Sequence, residues 1–124
     1  MNIQTWNTIN AYYQALWTDF SSEKLQKIFD DNIELQHNDR KKFSKGKENA
    51  INTFNENFFE SCLLDSTKIF DFRIEIMAER ISVTYVIQQS NKLRGEISGR
   101  INEMFELTDD NKKIKRIVLT YLDM

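Results

Sequence analysis

Three polar side chains stand where the surrounding pattern calls for core. His37 shares a strand face with Ile33 and Leu35, and Glu103 shares one with Ile101, Phe105 and Leu107. Tyr12 lies at the edge of a helical apolar stripe. An ionisable group on an apolar face is costly unless it is paired, neutralised or turned to a wet cavity. Groups placed this way are also the ones most often used in functional sites. Desolvation disfavours the charged form of both. A buried imidazole then suits a general base, and a buried carboxylic acid suits a donor to a developing oxyanion. The Tyr12 hydroxyl needs a partner once buried. Against this stands a purely structural account, in which Glu103 pairs with His37 or with an arginine.

Other chemistries find little support. His37 is the single histidine and no carboxylate cluster has ligand spacing, so no metal site is expected. Cys62 ends an apolar stripe and reads as buried filler. There is no Gly-rich phosphate loop, P-loop or G-x-S-x-G elbow, and no cofactor is expected. Arg40, Lys41, Lys42, Lys45 and Lys47 form a basic cluster. Phe43 is the one aromatic among them, so the cluster reads as a solvated loop with some capacity to attract an anion, and no nucleic-acid partner is expected.

The elements that must position these groups follow from periodicity. Ile3, Trp6, Ile9, Tyr13, Leu16, Trp17 and Phe20 recur every three or four residues, predicting an amphipathic helix over 2–20. Ser21 and Ser22 can cap a short second helix carrying Leu25, Ile28 and Phe29, with Glu23 in its first turn. Ile33, Leu35 and His37 then alternate as a strand. NDRKKFSKGK reads as a polar connection. Beyond Gly46, helical spacing returns at Ala50, Ile51, Phe54, Phe58 and Cys62.

From residue 67 onward the chain alternates with period two. Phe70, Phe72, Ile74 and Ile76 form one apolar set, and Ile81, Val83, Tyr85 and Ile87 a second. Ile97 to Leu107 and Ile117 to Tyr121 supply two more. The links SNKLRG and DDNKK are short and rich in turn residues, which implies an antiparallel meander. Helices covering one face of such a sheet give a two-layer α+β domain. With no proline and three glycines, nothing marks an internal boundary, so residues 1–124 read as one domain.

Composition agrees with a globular protein: 40% hydrophobic, 29% charged and a formal charge of −2. One cysteine and no positively charged leader before an apolar block point to the cytoplasm. The apolar runs are too short to span a membrane.

Three segments resemble the nuclear transport factor 2-like (cystatin-like) superfamily, which includes ketosteroid isomerase and the SnoaL-like polyketide cyclases. AYYQALWTDFSSEKLQKIFDDNIELQ is similar to its opening helix and first strand, KGKENAINTFNENFF to its glycine-led helix, and INEMFELTDDNKKIKRIVLTYLD to its closing hairpin. The resemblance implies a cone-shaped curved antiparallel sheet packed against N-terminal helices, with a ligand at its open end and dimerisation through the sheet. It sets Tyr12 at the oxyanion-hole tyrosine of ketosteroid isomerase, His37 at the general-base aspartate and Glu103 at the aspartate kept protonated as second donor. Histidine and glutamate in place of those aspartates do not imply steroid isomerisation. They suit the SnoaL-like branch, where pocket His and acidic residues shuttle protons. The Asp–Arg–Asp arrangement of limonene epoxide hydrolase has no convincing counterpart.

The expectation is therefore a pocket protein for a small hydrophobic or carbonyl-containing ligand, as an isomerase or cyclase moving a proton beside a carbonyl. A non-catalytic ligand-binding module is the alternative, as is a homodimeric module using an outer sheet face with Arg100, Met104 and Val118.

Overall fold

The computed structural model describes residues 3–17, 21–38, 42–55, 62–77, 80–91 and 95–123. Along the chain these form α1 (Ile3–Trp17), α2 (Ser22–Ile28), β1 (Phe29–His37), β2 (Lys42–Lys45), α3 (Lys47–Phe54), β3 (Cys62–Met77), β4 (Arg80–Asn91), β5 (Gly95–Leu107) and β6 (Ile114–Asp123). Among the described residues the strands make one curved, unclosed mixed sheet in the order β2-β1-β6-β5-β4-β3. β3 to β6 form the expected antiparallel meander, and β1 inserts parallel to β6. The architecture is the α+β arrangement of helices on one face of a sheet.

The buried face of the sheet carries Ile81, Val83, Tyr85 and Ile87 of β4, Ile101, Glu103 and Phe105 of β5, and Ile117 and Leu119 of β6. Their alternation places them on one side of the pleat, as read from the sequence. The Ser21 side chain accepts from the Lys24 backbone N–H and caps α2, again as expected. Glycine matters most at Gly99, where the Tyr121 ring lies over the backbone. A Cβ there would overlap the ring carbons and hydroxyl of Tyr121. Gly99→Ala is expected to lose about 1–3 kcal/mol of stability as the ring is pushed aside, read as a shifted urea midpoint at unchanged slope.

Four expectations need correction. The stripe of α1 is rotated: Thr5, Thr8, Ile9, Tyr12, Ala15 and Leu16 are buried, whereas Ile3 and Trp6 are exposed. In this orientation the Thr8 hydroxyl donates to the Asn111 carbonyl at 2.6 Å. The polar connection contains a strand, β2, whose Lys45 sits opposite Glu34 of β1. Cys62 does not end a helix; α3 stops at Phe54 and Cys62 opens β3 opposite Asn91. Phe20, Phe58, Arg40 and Lys41 lie outside the described residues.

The fourth correction concerns β3. Phe70, Phe72 and Ile76 are exposed, while Ile69 and Ile74 pack on the core. Register shifts between Leu63 and Lys68 and between Phe70 and Arg73 put the strand out of phase, with Asp71 at φ 55°. Asp71 accepts from Arg100 of β5 at 2.7 Å, and within the sheet Met104 of β5 stands opposite Val118 of β6. Among the described residues no helix is long and apolar enough to cross a membrane.

Candidate functional site

The centre of the buried face is a carboxylate. Glu103, midway along β5, is fully buried and lies opposite Val83 of β4 and Leu119 of β6. Three phenols donate to it. The Tyr12 hydroxyl, from α1, donates to Oε2. The Tyr85 hydroxyl, from β4, donates to Oε1 at 2.7 Å, and the Tyr13 hydroxyl, also from α1, donates to Oε1 at 3.0 Å. Consecutive residues on a helix differ by about 100° in direction, so Tyr12 and Tyr13 approach the carboxylate from two sides. Tyr85 reaches it from the adjacent strand, two residues beyond the position opposite Glu103.

The rings around this centre meet edge to face, the arrangement their quadrupoles favour. Tyr12 packs against Tyr13 at 4.9 Å and Phe105 at 5.2 Å between centroids. Tyr13 packs against Tyr85 at 5.7 Å, and Phe72 stacks on Tyr85 at 5.6 Å. Outward Phe72 is thus half used as a wall of the tyrosine cluster.

Burial dominates the electrostatics. It pushes the Glu103 carboxyl above its ordinary range, against the three phenol hydrogen bonds that favour the ionised form. The phenols are raised well above their ordinary value, first by burial and then by the charge of Glu103, so they keep their protons. Among the described residues no basic side chain is paired with Glu103. Among the described residues the hydrogen-bond partners of the Glu103 carboxylate are tyrosines.

A stability signature follows. The folded state holds the Glu103 proton more tightly than the unfolded chain does. Its contribution is therefore complete below the ordinary carboxylate range and is lost as pH rises through the folded pKa. Asp31 and Asp71, held low by Lys47 and Arg100, have the opposite sign and lose their contribution as pH falls. Urea titrations between about pH 4 and pH 8 are expected to show a decline that Glu103→Gln removes.

Beside the carboxylate is a narrow recess lined by Tyr12, Leu16, Trp17, Phe54, Tyr85, Glu103 and Leu119. None of it is wide enough to admit a water molecule. Tyr12 and Glu103 thus meet and share the lining of this recess. His37 is not among its lining residues. It is buried at the end of β1, opposite Leu119, and Leu119 is itself opposite Glu103. The two ionisable groups therefore occupy one row, two strand spacings or about 10 Å apart, with Leu119 between them. Tyr13, Tyr85 and Trp17 were not singled out from the sequence. Tyr85 reads in the sequence as an ordinary inward aromatic of β4, with no signal that sets its hydroxyl apart.

A second, open cleft of about 380 Å³ lies between α2 and α3, lined by Ser22, Gln26, Lys47, Glu48, Ile51, Asn52 and Asn55. Lys47 there is engaged by Asp31 at 3.0 Å. Among the described residues no group of three or more His, Cys, Asp or Glu could hold a metal ion.

The whole arrangement superposes on solved structures. A protein from Jannaschia sp. CCS1 named as SnoaL-like polyketide cyclase matches with a TM-score of 0.78 at 12% identity, over 96% of this chain and 85% of that one. The fold is that of the nuclear transport factor 2-like proteins. A nuclear transport factor 2-like protein of unknown function from Burkholderia xenovorans LB400 gives 0.75 at 14% identity, covering 98% of this chain and 85% of the other. A hypothetical protein with a ketosteroid isomerase-like fold from Catenulispora acidiphila DSM 44928, in complex with trimethylamine, gives 0.72 at 11%, covering 90% and 82%. No protein-family model and no curated protein matches the sequence. At these identities the nuclear transport factor 2-like likeness is one of fold, and the chemistry has to be argued from the side chains.

Proposed function

We propose that this chain is a small-molecule pocket protein whose ligand is held against Glu103 and its tyrosines. The convergence of three hydroxyls from α1 and β4 on one buried carboxylate, beside an unfilled recess, carries the reading. A carboxylate in a dry core is an expensive way to join two elements, because apolar residues of equal volume do so without desolvating a charge. A carboxylate at the centre of the buried sheet face fits a group used for recognition. That a protein of this fold forms a complex with trimethylamine supports a ligand of modest size.

Ligand-observed NMR with small hydrophobic and carbonyl fragments tests this. Binders are expected to compete with one another and to lose at least about tenfold in affinity in Tyr85→Phe. Binders indifferent to that change, or none at all, would remove the pocket from this face.

Proton transfer beside a carbonyl is the second reading, favoured by the row that aligns His37, Leu119 and Glu103. In it His37 takes a proton from the carbon next to the carbonyl, while Tyr12 and protonated Glu103 donate to the oxygen that gains charge. The ligand lies across Leu119. Deuterium uptake at the α-carbons of cyclohexanone, followed by NMR, is expected to exceed the buffer rate and to fall roughly 100-fold or more in His37→Ala. An unchanged rate in that variant, with the far-UV spectrum preserved, sinks the assignment.

A further inference from the structure

We propose that the ligand class of this centre is a small organic cation, a protonated alkylamine; this rests on the pocket reading above. The argument is one of donors and acceptors. A phenol has a single O–H. Those of Tyr12, Tyr13 and Tyr85 are all directed at Glu103. What the three phenols leave for an occupant of the recess is oxygen lone pairs. A ligand that brings only a carbonyl finds no phenol donor there unless a tyrosine lets go of Glu103.

The walls point the same way. Tyr12, Trp17, Phe54 and Tyr85 are four of the seven side chains that line the recess, with Leu16 and Leu119 completing its apolar part. Aromatic faces carry negative potential and attract ammonium groups, more strongly once water is excluded. The seventh lining residue is Glu103, with no basic side chain paired to it among the described residues. An ammonium N–H on the carboxylate supplies the missing positive charge through a charge-assisted hydrogen bond. Its alkyl groups then rest on rings and leucines. An anionic ligand meets the opposite of what it needs at each of these points.

Entry is past Trp17. It is the one lining residue that is not buried, and it ends α1. The recess is too narrow as it stands, so binding moves the indole outward and its fluorescence reports occupancy.

Three molecules of one size separate the possibilities: isopropylammonium chloride, propan-2-ol and acetone, titrated into the full chain at neutral pH and fixed ionic strength. The cation is expected to bind at least tenfold more tightly than either neutral compound, and Glu103→Gln to abolish that preference. If acetone or propan-2-ol binds as tightly as the cation, or the preference survives Glu103→Gln, the inference falls and the pocket reading stands. If none of the three binds while the fragment screen finds ligands, the inference again falls alone; silence in both experiments removes both. Should Glu103→Gln fail to fold, the ratio between cation and neutral compounds on the unaltered protein decides.

Discussion

Replacing Glu103 by leucine is expected to destabilise the domain by roughly 3–5 kcal/mol, a large share of the 5–15 kcal/mol typical of a domain this size. The change removes one acceptor group and strands three donors, because Tyr12, Tyr13 and Tyr85 all direct their hydroxyls at its carboxylate. Each buried hydroxyl left without a partner costs about 1–3 kcal/mol. The asymmetry of hydrogen bonding supplies the control. Removing both sides of a buried polar contact is far gentler than removing one. Glu103→Leu combined with phenylalanine at positions 12, 13 and 85 is therefore expected to recover most of the loss. Urea unfolding of the single, triple and quadruple variants measures this directly. A single Glu103→Leu variant as stable as the parent would mean that the phenols do not depend on the carboxylate.

Leu119→Ala carries the second large effect. Leu119 is 2% exposed, lines the recess and occupies the position between His37 and Glu103 in one row of the sheet. Truncating a buried leucine costs about 2–5 kcal/mol through lost burial and the cavity left behind. The same cut takes down the wall between the imidazole and the carboxylate. The enlarged space is then polar at both ends and roomy enough for water, which the parent recess excludes. A crystal structure of the variant is expected to show ordered solvent bridging from His37 toward Glu103. A dry, collapsed site would place His37 outside the functional space.

The two-period patterning of β4, β5 and β6 carried most of the fold, since Ile81, Val83, Tyr85 and Ile87, then Ile101, Glu103, Phe105 and Leu107, then Ile117 and Leu119 are buried at every second position. It failed in β3 because each extra residue in a bulge reverses the face on which every later side chain lies. It missed β2, where Lys42 to Lys45 have no apolar alternation and the strand exists through its pairing with β1. Along α1 the large apolar residues do not mark the buried stripe, since Thr5, Thr8 and Ala15 are buried while Ile3 and Trp6 are exposed. That rotation of the stripe is what brings Tyr12 inward. At the site, Glu103 was legible because it broke a pattern. Tyr85 obeyed the pattern as an aromatic core residue, so nothing in the sequence marked its hydroxyl as part of a cluster.

The place of β6 has a consequence for how the chain is made. β6, residues 114–123, lies between β1 and β5 and is hydrogen-bonded to both. The ribosome therefore releases β1, β2 and the β3–β5 meander before the strand that joins them exists. Until then β5 is an open edge, and Leu119 is missing from the wall beside Glu103. Nascent chains halted before residue 114 hold two partial sheets with unpaired edges, the form of chain that chaperones engage and proteases cut. Parallel pairing of β1 with a strand some eighty residues away also sets a slow rate, since a long loop closes before any contact rewards it.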